Sequence, residues 1–434
     1  MKEIYNNFIK PGVNSSLDTW LVYLSNQHNK IIDLGLDRLN IVASKLDILN
    51  PAPIVITVAG TNGKGTTCHL LELILINAGL KVGVYNSPHL LHYTERVRIQ
   101  GKTLPKELFC RVFFDIESKK GTTKLTYFEY ATLAALQLFK ETKLDVVILE
   151  VGLGGRLDAT NIVNSNIAVI TSIALDHTEF LGSNREKIGY EKAGIFRPGC
   201  YAVIGEMDIP NSIYSVAQDI GSKLFFCGID CQFKLYNDYW NWKSHDYFFK
   251  KLPIPKIPIC NAVTALAVIS CLLKEDSIIR RNITLQAIKL GLINAKLPGR
   301  FQIIHKNPYI ILDVAHNPHA SAYLADKISC LPKHRDTKVY AVVAMLSNKD
   351  IKNTLSYLIP HVDIWYLASL NEILGASSDK LAQYVNSSYK FSTVEDAWLK
   401  VIKRINKQDI LLVFGSFHTV AKVIEIEKFK SNLI

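Results

Sequence analysis

Ile54-Val55-Ile56-Thr57-Val58-Ala59-Gly60-Thr61-Asn62-Gly63-Lys64-Gly65-Thr66-Thr67 is the stretch on which the architecture turns. Its first six residues are a β-branched run without polar alternation, as a strand buried on both faces requires. A glycine turn follows. Leu70, Leu71, Leu73, Ile74 and Leu75 then recur at helical spacing up to Gly79, a residue suited to a helix C-terminus. Strand, loop and helix in succession gather backbone N–H groups and the positive helix end around a phosphate-sized space, which Lys64 would overlook. The common phosphate loop reads G-x-x-x-x-G-K-[ST]; here Gly65 displaces the hydroxyl residue by one position. The spacing supports a nucleotide site over a purely structural tight turn.

Outward from this loop, β-branched runs lie at 82–85, 145–151, 167–173 and 201–204, with a helical pattern at 128–139. Such alternation predicts an α/β fold with a doubly wound parallel sheet. A Tyr- and Trp-rich alternation at 233–249 predicts an inserted hairpin, before helices at 261–273 and 285–293. Leu297-Pro298-Gly299-Arg300 breaks the pattern, and strands follow at 310–314, 339–345, 364–368 and 410–414. Two domains are expected: an N-terminal P-loop domain over 1–296 and a smaller C-terminal Rossmann-like α/β domain over 297–434, large enough for its own core.

Composition fits that size. Of 434 residues, 48% are hydrophobic and 21% charged, enough for two or three cores at about 150 residues each and too apolar for a disordered chain. Fifty Lys and Arg against thirty-nine Asp and Glu leave +11, which suits an anionic partner without choosing one. No basic block interleaved with aromatics marks a nucleic-acid track. No segment reaches the roughly 18 uninterrupted apolar residues of a membrane span. Met1-Lys2-Glu3-Ile4-Tyr5-Asn6-Asn7 lacks the apolar run of a secretion signal. A cytoplasmic protein bound to neither membrane nor nucleic acid is expected. The cysteines are scattered, and the closest pair, Cys227 and Cys231, has no second Cys/His pair at ligand spacing, so neither disulfides nor zinc is expected.

Glu150 ends the apolar run Val146-Val147-Ile148-Leu149 and precedes Gly152-Leu153-Gly154-Gly155. A carboxylate therefore stands at the carboxyl edge of the sheet, where ligands bind in such folds. A nucleotide-bound Mg²⁺ commonly takes one or two carboxylates; a glutamate paired with loop amides or an arginine is the competing reading. Asp176-His177 closes the next strand at the same level, His177 being either a ligand or structural.

Together the run 57–67, Tyr85-Asn86-Ser87-Pro88-His89, residues 150–161, Ala174-Leu175-Asp176-His177-Thr178, Glu191-Lys192-Ala193-Gly194-Ile195-Phe196 and Asp313-Val314-Ala315-His316-Asn317-Pro318 resemble the folylpolyglutamate synthase family of the Mur ligase superfamily. The likeness is greatest to its bacterial bifunctional dihydrofolate synthase/folylpolyglutamate synthase branch and runs from about Leu17 to Gly415-Ser416-Phe417-His418. It implies an ATP-dependent ligase that adds L-glutamate to dihydropteroate and to the γ-carboxyl of reduced folates through an acyl phosphate. The alternatives are a monofunctional folylpolyglutamate synthase, another Mur-type amino-acid ligase, or a nucleotide switch that hydrolyses ATP and joins nothing.

The resemblance also implies a set of roles. ATP would be bound by Gly60, Thr61, Asn62, Gly63, Lys64, Gly65 and Thr66, with Asn261 near the adenine, Arg300 on the phosphates and Asp313 with His316 on the opposite wall. Ser87, Glu150 and His177 would hold magnesium, with potassium as an optional second cation. Lys64, His316 and a carbamylated Lys192 would be the catalytic groups; CO₂ addition turns the lysine ammonium into a carboxylate-like anion. Folate would lie on Asp33, Leu34, Gly35, Thr126, Tyr127 and Phe128, with Arg156 and Leu157 beside them. The two rings can stack on a flat heterocycle, and Asp33 can accept pterin N–H groups. Ser416 and His418 are suggested for glutamate. Asn86, where close relatives often carry a second serine, is expected to matter little. On residue type alone, Lys192 reads as a helix-surface lysine, Asn261 as a helix cap, Arg300 as a surface ion pair, Phe128 as helix core, and His316 as a loop residue held by Asp313. A monomer is expected from the family.

Overall fold

The computed structural model describes residues 10–30, 32–275 and 281–431; the segment Met1 to Asn7, read above for a secretion signal, lies outside the described residues. The chain divides into two compact units, 1–295 and 296–434.

In the first unit the strands are β1 (Ile54–Ala59), β2 (Val82–Tyr85), β3 (Val97–Ile99), β4 (Lys102–Thr103), β5 (Val146–Glu150), β6 (Ile167–Ile170), β7 (Tyr201–Ile204) and β8 (Lys223–Phe226). They form one sheet in the order β4-β3-β2-β5-β1-β6-β7-β8. From β2 to β8 every pairing is parallel, and β3 and β4 add an antiparallel edge. Both faces are covered, which is why β1 and β5 show no polar alternation. Ile56, Val58, Val146 and Ile148 enter one apolar layer, with helices Lys64–Asn77, Ile259–Glu275 and Leu285–Asn294. Val55, Val147 and Leu149 enter the opposite layer, with Leu17–Ser25, Asp37–Leu46, Lys106–Lys119 and Tyr127–Thr142. No helix among the described residues is long and apolar enough to cross a membrane.

The expected hairpin at 233–249 is instead a three-stranded antiparallel sheet: β9 (Cys231–Leu235), β10 (Tyr239–Ser244) and β11 (Phe248–Pro253), in the order β11-β10-β9. Trp240 and Trp242 are fully buried and join the layer that packs helix Ile259–Glu275. The expected strand at 167–173 ends at Ile170, because Thr171 and Ser172 turn their hydroxyls to the glycine loop.

The second unit has β12 (Gln302–Lys306), β13 (Tyr309–Leu312), β14 (Val339–Val343), β15 (Ile364–Ala368), β16 (Ser388–Phe391) and β17 (Ile410–Phe414), in the order β12-β13-β17-β14-β15-β16. Only the β12–β13 pairing is antiparallel. Its core gathers Ile311, Leu324, Ile328, Trp365, Leu381 and Phe414.

Candidate active site

The glycine loop joins β1 to helix Lys64–Asn77 at the carboxyl edge of the first sheet. Gly63 is the residue before that helix, with φ +85°, and no side chain caps the helix start. The first-turn N–H groups are therefore left for a ligand's oxygens. Two glycines are required sterically. A Cβ on Gly60 (φ +147°) would fall 1.9 Å from Thr171 Oγ1, and one on Gly63 would fall 2.2 Å from Asn261 Nδ2. Neighbours fix the rest of the loop. Asn62 O accepts from Thr171 Oγ1 at 2.7 Å and Ser172 Oγ at 3.0 Å, and Asn62 N donates to Ser172 Oγ at 2.9 Å. Thr61 Oγ1 bridges Ala174 O and N at 3.1 and 3.0 Å, so this hydroxyl is committed to the scaffold. Lys64 Nζ lies over the loop, donating to Gly60 O at 2.9 Å. Asn261 does not cap its helix; its Nδ2 donates to Gly63 O and Thr67 Oγ1, both at 3.3 Å.

Glu150 pairs in register with Val58 of β1, two residues before Gly60. It is 5% exposed. Its Oε2 accepts from Asn86 Nδ2 at 2.7 Å and from Ser87 N at 3.2 Å, while Oε1 takes no hydrogen bond from the described residues. A Cβ on Gly65 would stand 3.5 Å from this carboxylate, so the acid faces the phosphate loop. That half-used buried carboxylate is what a small divalent cation requires. Among the described residues no cluster of three His, Cys, Asp or Glu could hold a metal unaided, in keeping with a site that phosphate oxygens and water complete. His177 has φ +50° and precedes a short helix; its N–H donates to Asp176 Oδ1 at 2.9 Å.

Lys192 is not a surface lysine. It is 3% exposed on helix Arg185–Ala193. Burial first, and the Lys64 charge second, push its ammonium down to about 7, while Asp176 and Asp158 pull the other way. The Gly152–Gly155 turn beside it is fixed by the buried Asp158, whose carboxylate accepts from Leu153 N at 2.8 Å, Thr160 N at 3.0 Å and Thr160 Oγ1 at 2.7 Å. Arg156 pairs with Glu191 at 2.8 Å, next to Lys192; Leu157 is half-buried.

The segment carrying Asp33, Leu34 and Gly35 is bolted to helix Tyr127–Thr142. Arg38 bonds the Asp33 carboxylate and reaches Glu129 Oε1 at 2.8 Å. Glu129 Oε2 in turn accepts from Thr126 N at 2.7 Å and Thr126 Oγ1 at 2.9 Å, closing a capping box. Asp33 also takes Lys30 Nζ at 2.9 Å, so its carboxylate is engaged within the protein. Phe128 is half-buried, 6.0 Å from Tyr85 between ring centres, with its ring tip against Gly152, where a Cβ would fall 2.4 Å from it. Tyr127 lies under the Arg96 guanidinium at 5.6 Å.

In the second unit, Asp313 is half-buried, and desolvation pushes its carboxyl up against the pull of Arg300. It accepts from Phe301 N at 2.7 Å and Ala315 N at 2.8 Å, which shapes the turn bearing Arg300 and His316. His316 Nδ1 bonds Val314 O at 2.9 Å, and the ring also acts electrostatically on Asp313. Arg300 lies over the Phe417 ring at 5.4 Å. Ser416 Oγ accepts from Thr419 N at 3.1 Å, a helix-capping bond, and His418 pairs with Glu372 at 3.2 Å. Residue type alone did not single out Arg96, Thr171, Ser172 or Asp158; for the last three, a polar residue at the end of a buried strand or inside a glycine turn was the available signal.

Comparison with known proteins gives the same picture. Residues 58–254 match the Mur ligase middle domain and 299–417 the Mur ligase glutamate ligase domain. The chain is 50% identical over 416 residues to the dihydrofolate synthase/folylpolyglutamate synthase of Escherichia coli (strain K12), covering 96% of both chains. It is 46% identical to the Haemophilus influenzae protein of the same name, covering 96% of this chain and 98% of that one. Among solved structures, E. coli FolC in complex with DHPP and ADP superposes with a TM-score of 0.94 at 49% identity, over 97% of this chain and all of that one. The Yersinia pestis bifunctional enzyme complexed with AMPPNP and Mn ion gives 0.91 at 52% identity, over 96% of this chain and 100% of that one.

Proposed function

Because this chain belongs to the dihydrofolate synthase/folylpolyglutamate synthase family of Mur ligases, we propose roles for its site residues in that family's reaction. The protein is an ATP-dependent ligase that adds L-glutamate to dihydropteroate, giving dihydrofolate, and to the γ-carboxyl of reduced folates, giving folylpolyglutamates. It uses ATP and a divalent cation. A carboxylate oxygen is a poor leaving group, and phosphorylation corrects that. The substrate carboxylate attacks the γ-phosphorus, the bond to the β,γ-bridging oxygen breaks, and ADP leaves. The α-amine of glutamate then attacks the acyl carbon and loses a proton, and phosphate departs.

The Gly60 to Thr66 loop holds the phosphates, and Lys64 offsets charge on the phosphoryl group in flight. Ser87, Glu150 and His177 would hold the cation, which when bound neutralises phosphate charge. Lys192 takes up CO₂ and becomes an anion on that rim. Thr126, Tyr127, Phe128 and the 33–35 segment receive the folate, with Arg156 and Leu157 bordering it; Asp33 acts there through Arg38. Residues 1–296 form the ATP-binding domain, to which Asn261 contributes as the brace of the loop. Residues 297–434 form the ligase domain, which supplies Arg300, Asp313 and His316, with Ser416 and His418 toward glutamate. The enzyme works as a cytoplasmic monomer.

The observation that carries this reading is the Glu150 carboxylate, buried, half-used and set against Gly65 of the loop. The test is mass spectrometry of products after supplying ATP, Mg²⁺, L-glutamate and either dihydropteroate or tetrahydrofolate. One added glutamyl unit from the first and further units from the second are expected. ATP turnover indifferent to both acids would overturn the ligase reading in favour of a switch.

A further inference from the structure

Arg96 is 8% exposed. In this unit Arg38, Arg98, Arg111, Arg156 and Arg185 each face a carboxylate within salt-bridge distance, and Arg197 donates instead to carbonyl and amide oxygens of Asn161, Val163, Asn164, Gly194 and Phe196. Arg96 faces none among the described residues. Its Nε–H donates to His89 Nδ1 at 2.9 Å, and its flat faces rest on the rings of Tyr93 and Tyr127, each 5.6 Å away. Among the described residues the Tyr85 hydroxyl is the other acceptor within its reach. A guanidinium carries five N–H donors, so the acceptors supplied by the described residues are too few. A buried cation left in that state is costly unless an anion completes it.

The surroundings indicate which anion. Arg96 O accepts from Asn86 N at 2.9 Å, and the Asn86 side chain is on Glu150. On its other side Arg96 rests on Tyr127, within the segment proposed to receive folate. It thus lies between the groups proposed to hold the cation and those proposed to hold the pterin. The acid substrate's pterin ring is neutral, and its charge is on the carboxylate that must approach an anionic γ-phosphate. A planar fork that accepts a carboxylate bidentately is the group suited to bring it there.

We propose that Arg96 binds the reacting carboxylate of the acid substrate. The inference rests on the ligase reading above and adds a residue to it. The test measures binding of dihydropteroate and of its carboxamide analogue, which keeps the ring and loses the charge, by fluorescence titration with ADP and Mg²⁺ present. Wild type should prefer the acid, and Arg96→Gln should weaken acid binding by about 10- to 100-fold, the range for a charge-assisted pair, with little effect on the amide. Arg96→Lys keeps the charge without the fork and should lose several-fold of that preference, so the proposal stays testable if Arg96→Gln fails to fold. Equal losses for acid and amide in both variants, or an unchanged preference, would overturn the role of Arg96 while leaving the ligase reading intact. A wild-type protein that binds dihydropteroate no better than the amide and forms no dihydrofolate would overturn both.

Discussion

Asn86 donates its side-chain amide to Glu150 Oε2 at 2.7 Å, while its own Oδ1 is buried without a partner. The residue expected to matter little thus orients the carboxylate proposed to hold the cation. Groups that orient a metal ligand typically govern affinity by 10- to 100-fold. Asn86→Ala should therefore weaken Mn²⁺ binding, in the presence of nucleotide, by about tenfold, read by electron paramagnetic resonance titration. Unchanged Mn²⁺ affinity would show that Ser87 N alone suffices to orient Glu150.

Lys64→Ala should lower kcat/KM by about 10²- to 10³-fold, the usual cost of losing one preorganised donor to developing charge. Two of its partners here are the loop carbonyls of Gly60 and Thr61, and the variant should still unfold cooperatively on heating, which checks that it folds. A folded variant with near-normal ligation would contradict the role given to Lys64.

Lys192, pushed down to about 7 by burial, is roughly half neutral at pH 7, and only the neutral amine adds CO₂, releasing a proton. Carbamate should therefore accumulate as pH rises from about 6 to about 8, seen as a ¹³C carbamate resonance with labelled bicarbonate and absent from Lys192→Met. The unmodified lysine has the opposite preference to a paired one. Between about 7 and the unfolded value of 10.5, the unfolded chain binds more protons. CO₂-free protein should thus gain stability as pH rises through that window and lose it as pH falls. Melting temperatures that are flat across it would contradict the shift.

Gly63→Ala forces a side chain into the left-handed region and onto Asn261 Nδ2. A loss of about 1–3 kcal/mol in stability and weaker ADP binding are expected by calorimetry. Gly12→Ala is the control, since no atom lies within 4 Å of a Cβ there and its binding should match wild type.

The parallel strands were legible because burial on both faces leaves an unbroken β-branched run, as in β1 and β5. The third strand of the inserted sheet was not, because β11 carries Lys250, Lys251 and Pro253, and an irregularity between Trp240 and Trp242 upsets the alternation. The β3–β4 edge is too short and polar to stand out. At the site, the loop and Glu150 could be read from local pattern alone. The link from Asp33 through Arg38 to Glu129 is not legible in the sequence, because Arg38 is an unremarkable helix residue until the fold brings Glu129 to it. Arg96 was invisible for the converse reason: an arginine's lack of a carboxylate is a property of its neighbours in space.

Thr171 and Ser172 grip the carbonyl of Asn62, and Ser172 also receives its amide. The shape of the loop is therefore held from the end of β6 as well as by the glycines themselves. A nucleotide arriving there meets amides already facing it, and little backbone freedom remains to be surrendered on docking. Selectivity at this end of the molecule is then a matter of rigid fit, and the adaptable parts of the reaction must lie with the acid and the amino acid.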